Sequence, residues 1–277
     1  MHNKTWRFLV TGKGSAVFNM SLDEALMNLV ARGESPTTFR LYGWDRPSIS
    51  IGYAQCAGKV LDLERCAADG IDVVRRPTGG RAVYHDDELA YSIVSTIDDP
   101  LFGGTLMETY GKVSGIVSKA LLMLNADVDF SKCRTGQDRD LFTSDSPCFV
   151  SSSRFELNYH GKKLVGSAQR RKKGAFLQHG SILTGPGQEN IAAYSRVLET
   201  DSLADSIVRQ STNLKSIIGS SYSLEKLTSA LTEAFVQKVG TFDSMSKPTD
   251  GEVDLARKLA NENEIAITHH ISEEAFC

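Results

Sequence analysis

The 277-residue chain lacks the features of several large classes of protein. No apolar run approaches the length that crosses a bilayer, and the N-terminus carries charges where a signal peptide needs an uninterrupted apolar core. A net charge of -3 lacks the basic excess that is typical of general nucleic-acid binders. We therefore expect a cytoplasmic protein that binds neither nucleic acid nor membrane.

Cysteine spacing excludes the common thiol-based scaffolds. The five cysteines form no C-x-x-C pair, and no spacing of cysteine and histidine resembles a zinc site. The chain also has no internal repeat, low-complexity tract or long linker. With 41% hydrophobic and 23% charged residues, it has the composition of an ordinary globular protein with a sizeable core. We predict one domain over residues 1–277, without a metal site.

Hydrophobic periodicity predicts strands mixed with helices, and mainly helices from about residue 185 onward. The predicted helices cover 19–33, 60–68, 110–124, 189–198, 224–239 and 251–261. The predicted strands cover 38–42, 48–53, 71–75, 82–84, 89–95, 155–159, 163–168 and 175–183. Because the order is not a regular βαβ alternation, we expect an α+β fold with a mixed, largely antiparallel sheet flanked by helices. The last thirty or so residues are predicted to form a helical C-terminal extension.

A glycine-rich turn flanked by arginines lies in the sequence RRPTGGRAVYHDDELAYS. Its arginines are Arg75, Arg76 and Arg81, and its paired glycines are Gly79 and Gly80. Paired glycines leave room for a ligand against the main chain, and guanidinium groups suit phosphate or carboxylate. The same pattern is typical of a plain glycine hairpin whose arginines point into water, and both interpretations stay open.

Two histidines and a basic run also allow two interpretations each. His85, and His179 followed by Gly180, are candidates for a base, a ligand or an orienting donor, or they are structural histidines at strand ends. The run RRKK at 170–173 is typical of a solvated face, and it also suits the steering of an acidic protein partner.

The segment DSPCFVSSSRFELNYHGKKLVGSAQRR carries residues suited to acyl transfer. Cys148 precedes a predicted hairpin whose second strand begins with Lys163 and continues into Gly166, Ser167 and Ala168. An ammonium group close to a thiol favours the reactive thiolate. The alternatives are a cysteine that fills a small apolar space and a lysine on the surface of a hairpin.

Together these segments resemble the biotin/lipoate protein ligase superfamily over about the first two thirds of the chain. The segments that carry the resemblance are NMSLDEAL, SISIGYAQ, RRPTGGRAVYHDDELAYS, GKKLVGSAQRR and LQHGSIL. Within the superfamily the chain is most similar to the LipM-type octanoyltransferases, because Cys148 precedes the SRFEL stretch and Lys163 precedes LVGSA. Lipoate-protein ligases typically carry a third glycine where this chain has Arg81.

The resemblance implies an enzyme that moves an octanoyl group from octanoyl-acyl carrier protein to the ε-amine of a lipoyl-domain lysine, for example in the glycine cleavage H protein. It implies that Cys148 carries the acyl group as a thioester and that Lys163 assists it. No ATP or metal is implied, since the donor brings its own phosphopantetheine. The residues that would line the substrate channel are Arg75, Arg76, Gly79, Gly80, Arg81, His85, Gly166, Ser167, Ala168, His179 and Gly180.

Three other functions fit the same resemblance. An ATP-dependent lipoate-protein ligase would use Lys163 and the glycine turn without needing Cys148. An octanoyl amidotransferase would take the acyl group from another lipoyl domain. A non-catalytic homologue would bind lipoyl domains and have no use for a reactive thiol.

Overall fold

The computed structural model describes residues 6–130, 156–196, 200–240, 242–245 and 247–263. The described strands are β1 (Trp6–Gly14), β2 (Thr38–Trp44), β3 (Ser48–Ile51), β4 (Asp72–Arg75), β5 (Val83–His85), β6 (Glu88–Thr96), β7 (Asp129–Phe130), β8 (Leu157–Tyr159), β9 (Lys162–Lys172), β10 (Ala175–Leu183) and β11 (Phe242–Met245). The helices are α1 (Ala16–Arg32), α2 (Ala57–Val60), α3 (Leu63–Ala68), α4 (Leu106–Met123), α5 (Thr200–Gln210), α6 (Leu214–Ile218), α7 (Leu224–Val239) and α8 (Asp250–Asn263). Short 3-10 helices cover Gln188–Tyr194 and Gly219–Ser221.

Two sheets organise the described residues. The larger has eight strands in the order β11-β1-β2-β6-β10-β9-β8-β7, and the smaller has the order β4-β3-β5. In the large sheet β1 runs parallel to both β2 and β11, whereas the other neighbours pair antiparallel. This arrangement confirms the predicted α+β class with a mixed, largely antiparallel sheet.

Helix α1 is fixed at both ends by residues that suit helix termini. The Ser15 side chain accepts a hydrogen bond from the backbone N–H of Phe18, and Gly33 ends the helix in the left-handed region at φ 74°. Between these ends, Leu22, Leu26 and other apolar side chains pack against residues of β6 and β10. Helix α1 thereby packs against the large sheet, next to the pocket described below.

The predicted helix over 60–68 is wrong in its continuity. Leu61 is extended, with φ -128° and ψ 146°, so the segment divides into α2 and α3. Asp62 then begins α3, because its side chain accepts a hydrogen bond from the backbone N–H of Arg65. In the described part of the predicted helix over 189–198, the structure has the 3-10 helix Gln188–Tyr194 instead, and residues 197–198 lie outside the described residues.

Strands β1 and β11 were not among the predicted strands. The two strands pair with each other, with Trp6 of β1 opposite Phe242 of β11 and Phe8 opposite Ser244. The first four residues of β1 are all buried, so they lack the alternation that identifies a half-exposed strand. Strand β11 has only four residues, which is too short for a clear period.

Helix α8, which lies late in the sequence, packs on α1. Ala256 of α8 belongs to the same hydrophobic cluster as Leu22 and Leu26. Near its start, Glu252 accepts hydrogen bonds from two guanidinium nitrogens of Arg7, at 3.0 and 2.7 Å. Both side chains are buried, so the contact fastens α8 to β1. In the part of the chain that the structure describes, no helix is long and apolar enough to cross a bilayer.

Candidate active site

A pocket lies between the large sheet, the small sheet and α1. Eight of the residues predicted to bind substrate line it: Arg76, Gly80, His85, Gly166, Ser167, Ala168, His179 and Gly180. The remaining lining residues are Met20, Tyr42, Trp44, Ser50, Val83 and Ser181. Arg75, Gly79, Arg81 and Lys163 do not line it. Cys148 lies outside the described residues.

The wall of the pocket formed by β9 and β10 requires a glycine. Gly180 of β10 lies opposite Ser167 of β9, and a Cβ at Gly180 would be 2.5 Å from the Gly166 carbonyl oxygen. The space left by Gly180 accommodates the Ser167 hydroxyl, which lies 2.7 Å from the hydroxyl of Tyr91. The Tyr110 hydroxyl of α4 donates to the Ser167 carbonyl oxygen on the same strand. These contacts fix the wall in one position.

The glycine-rich turn is held by Arg76. Its guanidinium group donates to the carbonyl oxygens of Gly79, at 3.1 and 2.8 Å, of Arg81 at 2.7 Å and of Ser50 at 3.1 Å. Gly52 packs so closely beneath the turn that a Cβ there would be 1.9 Å from the Gly80 carbonyl oxygen. The side chain of Arg76 therefore shapes the turn from inside, in addition to lining the pocket.

Arg75 and Arg81 are not arranged as the simple anion-binding site that the sequence suggested. The guanidinium group of Arg75 donates to the carbonyl oxygens of Tyr53 at 3.0 Å and Gln55 at 2.7 Å. Burial lowers the pKa of Arg75. Arg81 begins the chain into β5, and its Nη1 atom is buried without a hydrogen-bond partner. The Arg75 guanidinium group is thus hydrogen-bonded to backbone carbonyl oxygens beside the pocket.

His179 connects β10 to the glycine-rich turn. Its Nε2 atom lies 2.6 Å from the hydroxyl of Thr78, and its Nδ1 atom lies 3.0 Å from a carboxylate oxygen of Asp23. Burial lowers the pKa of His179, and this effect outweighs the opposing influence of the Asp23 carboxylate. A neutral imidazole that bridges Asp23 and Thr78 follows from this environment.

Asp23 is the centre of a buried polar network that the sequence did not reveal. Its carboxylate accepts hydrogen bonds from Arg40 at 2.8 Å, Tyr42 at 3.0 Å and Ser92 at 2.8 Å, besides the contact with His179. Burial acts to raise the pKa of Asp23, but Arg40 and His179 lower it overall. The sequence feature that could have identified Asp23 is its position as a carboxylate within the predicted helix segment NMSLDEAL.

A second histidine–carboxylate pair lies at the pocket, with His85 among the lining residues. The Nδ1 atom of His85 is 2.8 Å from Oε1 of Glu88, and its Nε2 atom is 2.7 Å from the hydroxyl of Ser50. The same carboxylate oxygen accepts from the Trp44 indole N–H and from the Ser181 hydroxyl, both at 2.7 Å. The Trp44 ring stacks on His85 at 3.9 Å. Glu88 was also missed, although it follows His85 by three residues.

Lys163 lies near the beginning of β9, three residues before the pocket wall. Its Nζ atom is 2.6 Å from Oε1 of Glu156, and both side chains are almost fully buried. The Thr212 backbone N–H donates to the Lys163 carbonyl oxygen at 2.9 Å, which fixes the main chain. The carboxylate of Glu156 compensates the buried ammonium group. Sequence reasoning missed this role of Glu156, although the residue stands in the SRFEL stretch.

The side chains of the basic run at 170–173 are partly engaged within the protein. Arg170 donates to the Pro77 carbonyl oxygen at 2.7 Å. Arg171 donates to the Gly104 carbonyl oxygen and to the Thr109 hydroxyl, both at 2.8 Å. The run therefore supports the glycine-rich turn and α4, and it is more than a solvated face.

This arrangement of side chains favours the binding of a narrow, largely apolar group. Met20, Trp44 and Val83 offer apolar surface, while the glycines of the wall and turn admit a ligand close to the main chain. Within the described ranges, no three histidine, cysteine, aspartate or glutamate side chains cluster closely enough to hold a metal ion.

Comparison with known proteins identifies a family model that matches the chain and relatives that are similar to it. The family model described as "Lipoyl protein ligase A/B catalytic domain" matches residues 15–236. An octanoyltransferase LipM from Kyrpidia tusciae is 42% identical over 261 residues, which cover 92% of this chain and 95% of the relative. An octanoyltransferase LipM from Macrococcus caseolyticus is 34% identical over 279 residues, with 97% of each chain covered.

The fold is shared with solved structures. A lipoate-protein ligase A bound with ATP superposes with a TM-score of 0.74 and 25% identity, covering 93% of this chain and 95% of that structure. The agreement extends over nearly the whole chain.

Proposed function

Because the chain belongs to the lipoyl protein ligase A/B catalytic-domain family, we propose that it is an octanoyltransferase that uses Cys148 as its nucleophile. The observation that carries the proposal is the similarity to LipM octanoyltransferases over almost the full length of both chains. The pocket supports it, since its glycine-lined wall and apolar side chains suit an aliphatic acyl group. The donor is octanoyl-acyl carrier protein, and the acceptor is a lipoyl-domain lysine such as that of the glycine cleavage H protein.

The reaction proceeds in two balanced steps. The thiolate of Cys148 attacks the carbonyl carbon of the octanoyl thioester, and the phosphopantetheine thiolate leaves and takes up a proton. The amine of the acceptor lysine then attacks the new thioester, so that an amide forms and the Cys148 thiolate is released with loss of one proton from the amine. Lys163 favours the thiolate by its positive charge and exchanges that proton.

Neither step consumes ATP or requires a metal. A thioester is exchanged for a thioester in the first step, and the more stable amide draws the second step forward. Phosphopantetheine enters with the donor and is not a resident cofactor. A cytoplasmic location remains a prediction from the sequence.

An intact-mass experiment tests the nucleophile. Incubation with octanoyl-carrier protein, without ATP, is expected to add one octanoyl group to the wild-type chain and none to Cys148→Ser. Cys66→Ser is the matched control, because Cys66 is a buried free cysteine that does not line the pocket, and burial raises its pKa to about 12. An adduct that persists in Cys148→Ser overturns the proposal.

The ATP-bound structural neighbour supports a second candidate, an ATP-dependent lipoate-protein ligase. Such an enzyme would modify the acceptor from free octanoate and ATP, and Cys148→Ser would keep its activity. Comparing free octanoate plus ATP with octanoyl-carrier protein as donors, in wild type and Cys148→Ser, separates the two functions. The same comparison with an octanoylated lipoyl domain as donor tests the amidotransferase, and inactivity with all donors indicates the non-catalytic homologue.

A further inference from the structure

The far end of β9 forms a surface that the reaction chemistry does not use. We call this surface the basic rim and define it as Tyr53, Arg170, Lys172 and Lys173. It continues the strand that carries the pocket wall, since Arg170 follows Ala168 by two residues and lies on the same face of β9.

Tyr53 presents a rigid aromatic ring at this surface. Its backbone N–H donates to the Thr78 carbonyl oxygen at 2.9 Å, and its own carbonyl oxygen accepts from Arg75. The side chain is nevertheless 56% exposed. The guanidinium carbon of Arg170 lies 4.2 Å from the centre of the ring, and the same side chain is fixed by its bond to Pro77. A preorganised tyrosine with a stacked arginine is the residue combination that dominates the energy of protein interfaces.

The basic rim also carries positive charge that is only partly neutralised by the residues that the structure describes. Among the described residues, no carboxylate lies within ion-pair distance of Arg170 or Lys173, whereas Lys172 has Glu24 at 3.7 Å. The whole chain has a net charge of -3, so this local excess runs against its average. Such a patch attracts a partner with an acidic surface and speeds its association.

The distance from the rim to Lys163 decides which partner fits. Seven residues of β9 separate Lys163 from Arg170, which is roughly 23 Å along an extended strand. The side chain of an acceptor lysine has only four methylene groups and is far too short to cross that distance. A phosphopantetheine arm contains two amide units and a phosphodiester, and it is several times longer.

We propose that the basic rim is the docking surface for the donor, a carrier protein with an acidic face that delivers its acyl group on a phosphopantetheine arm. The arm enters along β9 from the rim, and the acyl group that it carries lies in the pocket. This inference rests on the proposed function for the identity of the donor.

The test compares a protein-bound donor with a small one. Steady-state kinetics use octanoyl-carrier protein and octanoyl-pantetheine, with the acceptor lipoyl domain held constant, for Tyr53→Ala and Lys173→Glu. Lys173 lies at φ 51° in a turn and its side chain is exposed, so Lys173→Glu reverses a charge without removing a packed side chain. Lys238→Glu, an exposed lysine on α7 outside the rim, is the matched control.

Each rim variant is expected to lower kcat/KM for octanoyl-carrier protein by roughly tenfold. The value for octanoyl-pantetheine should change less than about twofold, and Lys238→Glu should match wild type with both donors. Added salt should weaken the wild-type preference for the protein-bound donor, as expected for charge steering. Equal losses with both donors overturn the proposal, and so does a rise in KM for the acceptor alone.

Binding measured without turnover separates this inference from the proposed function. Titration calorimetry with unacylated holo-carrier protein should show binding by wild type and Lys238→Glu and weakened binding by Lys173→Glu. If the chain binds the carrier through the rim yet transfers no octanoyl group, the docking surface stands and the proposed function fails. If transfer occurs but carrier binding ignores the rim, the docking surface fails alone.

Discussion

The Nζ atom of Lys163 lies 2.6 Å from Oε1 of Glu156, and the two side chains form an ion pair inside the protein. A buried charge that loses its partner is costly, whereas a pair replaced as a unit costs much less. The proposed role of Lys163 in promoting the thiolate therefore depends on a carboxylate that keeps the ammonium group stable in a buried position.

Removing one member of this pair should destabilise the protein strongly. We expect Glu156→Gln to lower the free energy of unfolding by about 3–5 kcal/mol, because it removes the carboxylate that lies 2.6 Å from the buried Lys163 ammonium group. The double variant Glu156→Gln with Lys163→Met should recover most of that loss. Urea unfolding of Glu156→Gln, Lys163→Met and the double variant measures the coupling, and simple additivity of the two substitutions would contradict it.

Close packing of Gly52 beneath the glycine-rich turn gives a second prediction. A Cβ at Gly52 would lie 1.9 Å from the Gly80 carbonyl oxygen, so Gly52→Ala must displace the turn. We expect a loss of about 2 kcal/mol or more in unfolding free energy, together with a fall in kcat. In Gly58→Ala the new Cβ meets nothing within 4 Å, so stability should stay within about 1 kcal/mol. Equal behaviour of the two variants would show that the turn is not packed in this way.

Local signals in the sequence identified the elements around the pocket well. Strand β10 was predicted with its exact bounds, and α1 was predicted with the correct terminating residue, Gly33. Hydrophobic period, helix caps and glycine turns are short-range features, so a single sequence displays them. The octanoyltransferase prediction is likewise confirmed at the level of the family, since it rested on contiguous motifs that the relatives share.

Contacts between distant residues could not be predicted in the same way. Asp23 and His179 are 156 positions apart in the sequence, and only the packing of α1 on β10 brings them together. The sequence likewise does not show that Arg75 and Arg76 donate to backbone carbonyls, because that depends on how the chain folds around them. The roles of Cys148 and Lys163 in catalysis stay predictions.

The buried imidazole of His179 leads to a pH dependence of stability. Burial lowers its pKa in the folded state, and the groups that face it are Asp23, Thr78, Arg76 and His85. The unfolded chain therefore binds a proton near the ordinary pKa of about 6.5 while the folded chain does not. Stability should fall as pH decreases below about 6.5, until the lowered folded pKa is reached. Urea midpoints between neutral and mildly acidic pH should decline less in His179→Gln than in wild type.

The contact between Arg7 and Glu252 predicts that α8 is needed for stability. Because both side chains are buried, Glu252→Ala leaves the Arg7 guanidinium group unpaired and should cost about 3–5 kcal/mol. Asp254→Ala in the same helix removes an exposed pair with Arg257 and should cost less than about 1 kcal/mol. Thermal unfolding of the two variants checks the difference, and similar melting temperatures would mean that α8 is held by its apolar contacts alone.

Met20 offers a test of how the pocket limits the acyl chain. It lines the pocket from α1, whereas Met27 of the same helix is equally buried but packs in the cluster between α1, α8 and the sheet, away from the pocket. Each methionine-to-alanine change should destabilise by about 2–5 kcal/mol. Only Met20→Ala enlarges the pocket, so only that variant should favour decanoyl over octanoyl donors, by roughly tenfold relative to wild type. Donor competition at a temperature where both variants remain folded measures the ratio. A shift of the same size in Met27→Ala would attribute the effect to general loosening of α1, and an unchanged ratio in Met20→Ala would place the end of the acyl chain elsewhere in the pocket.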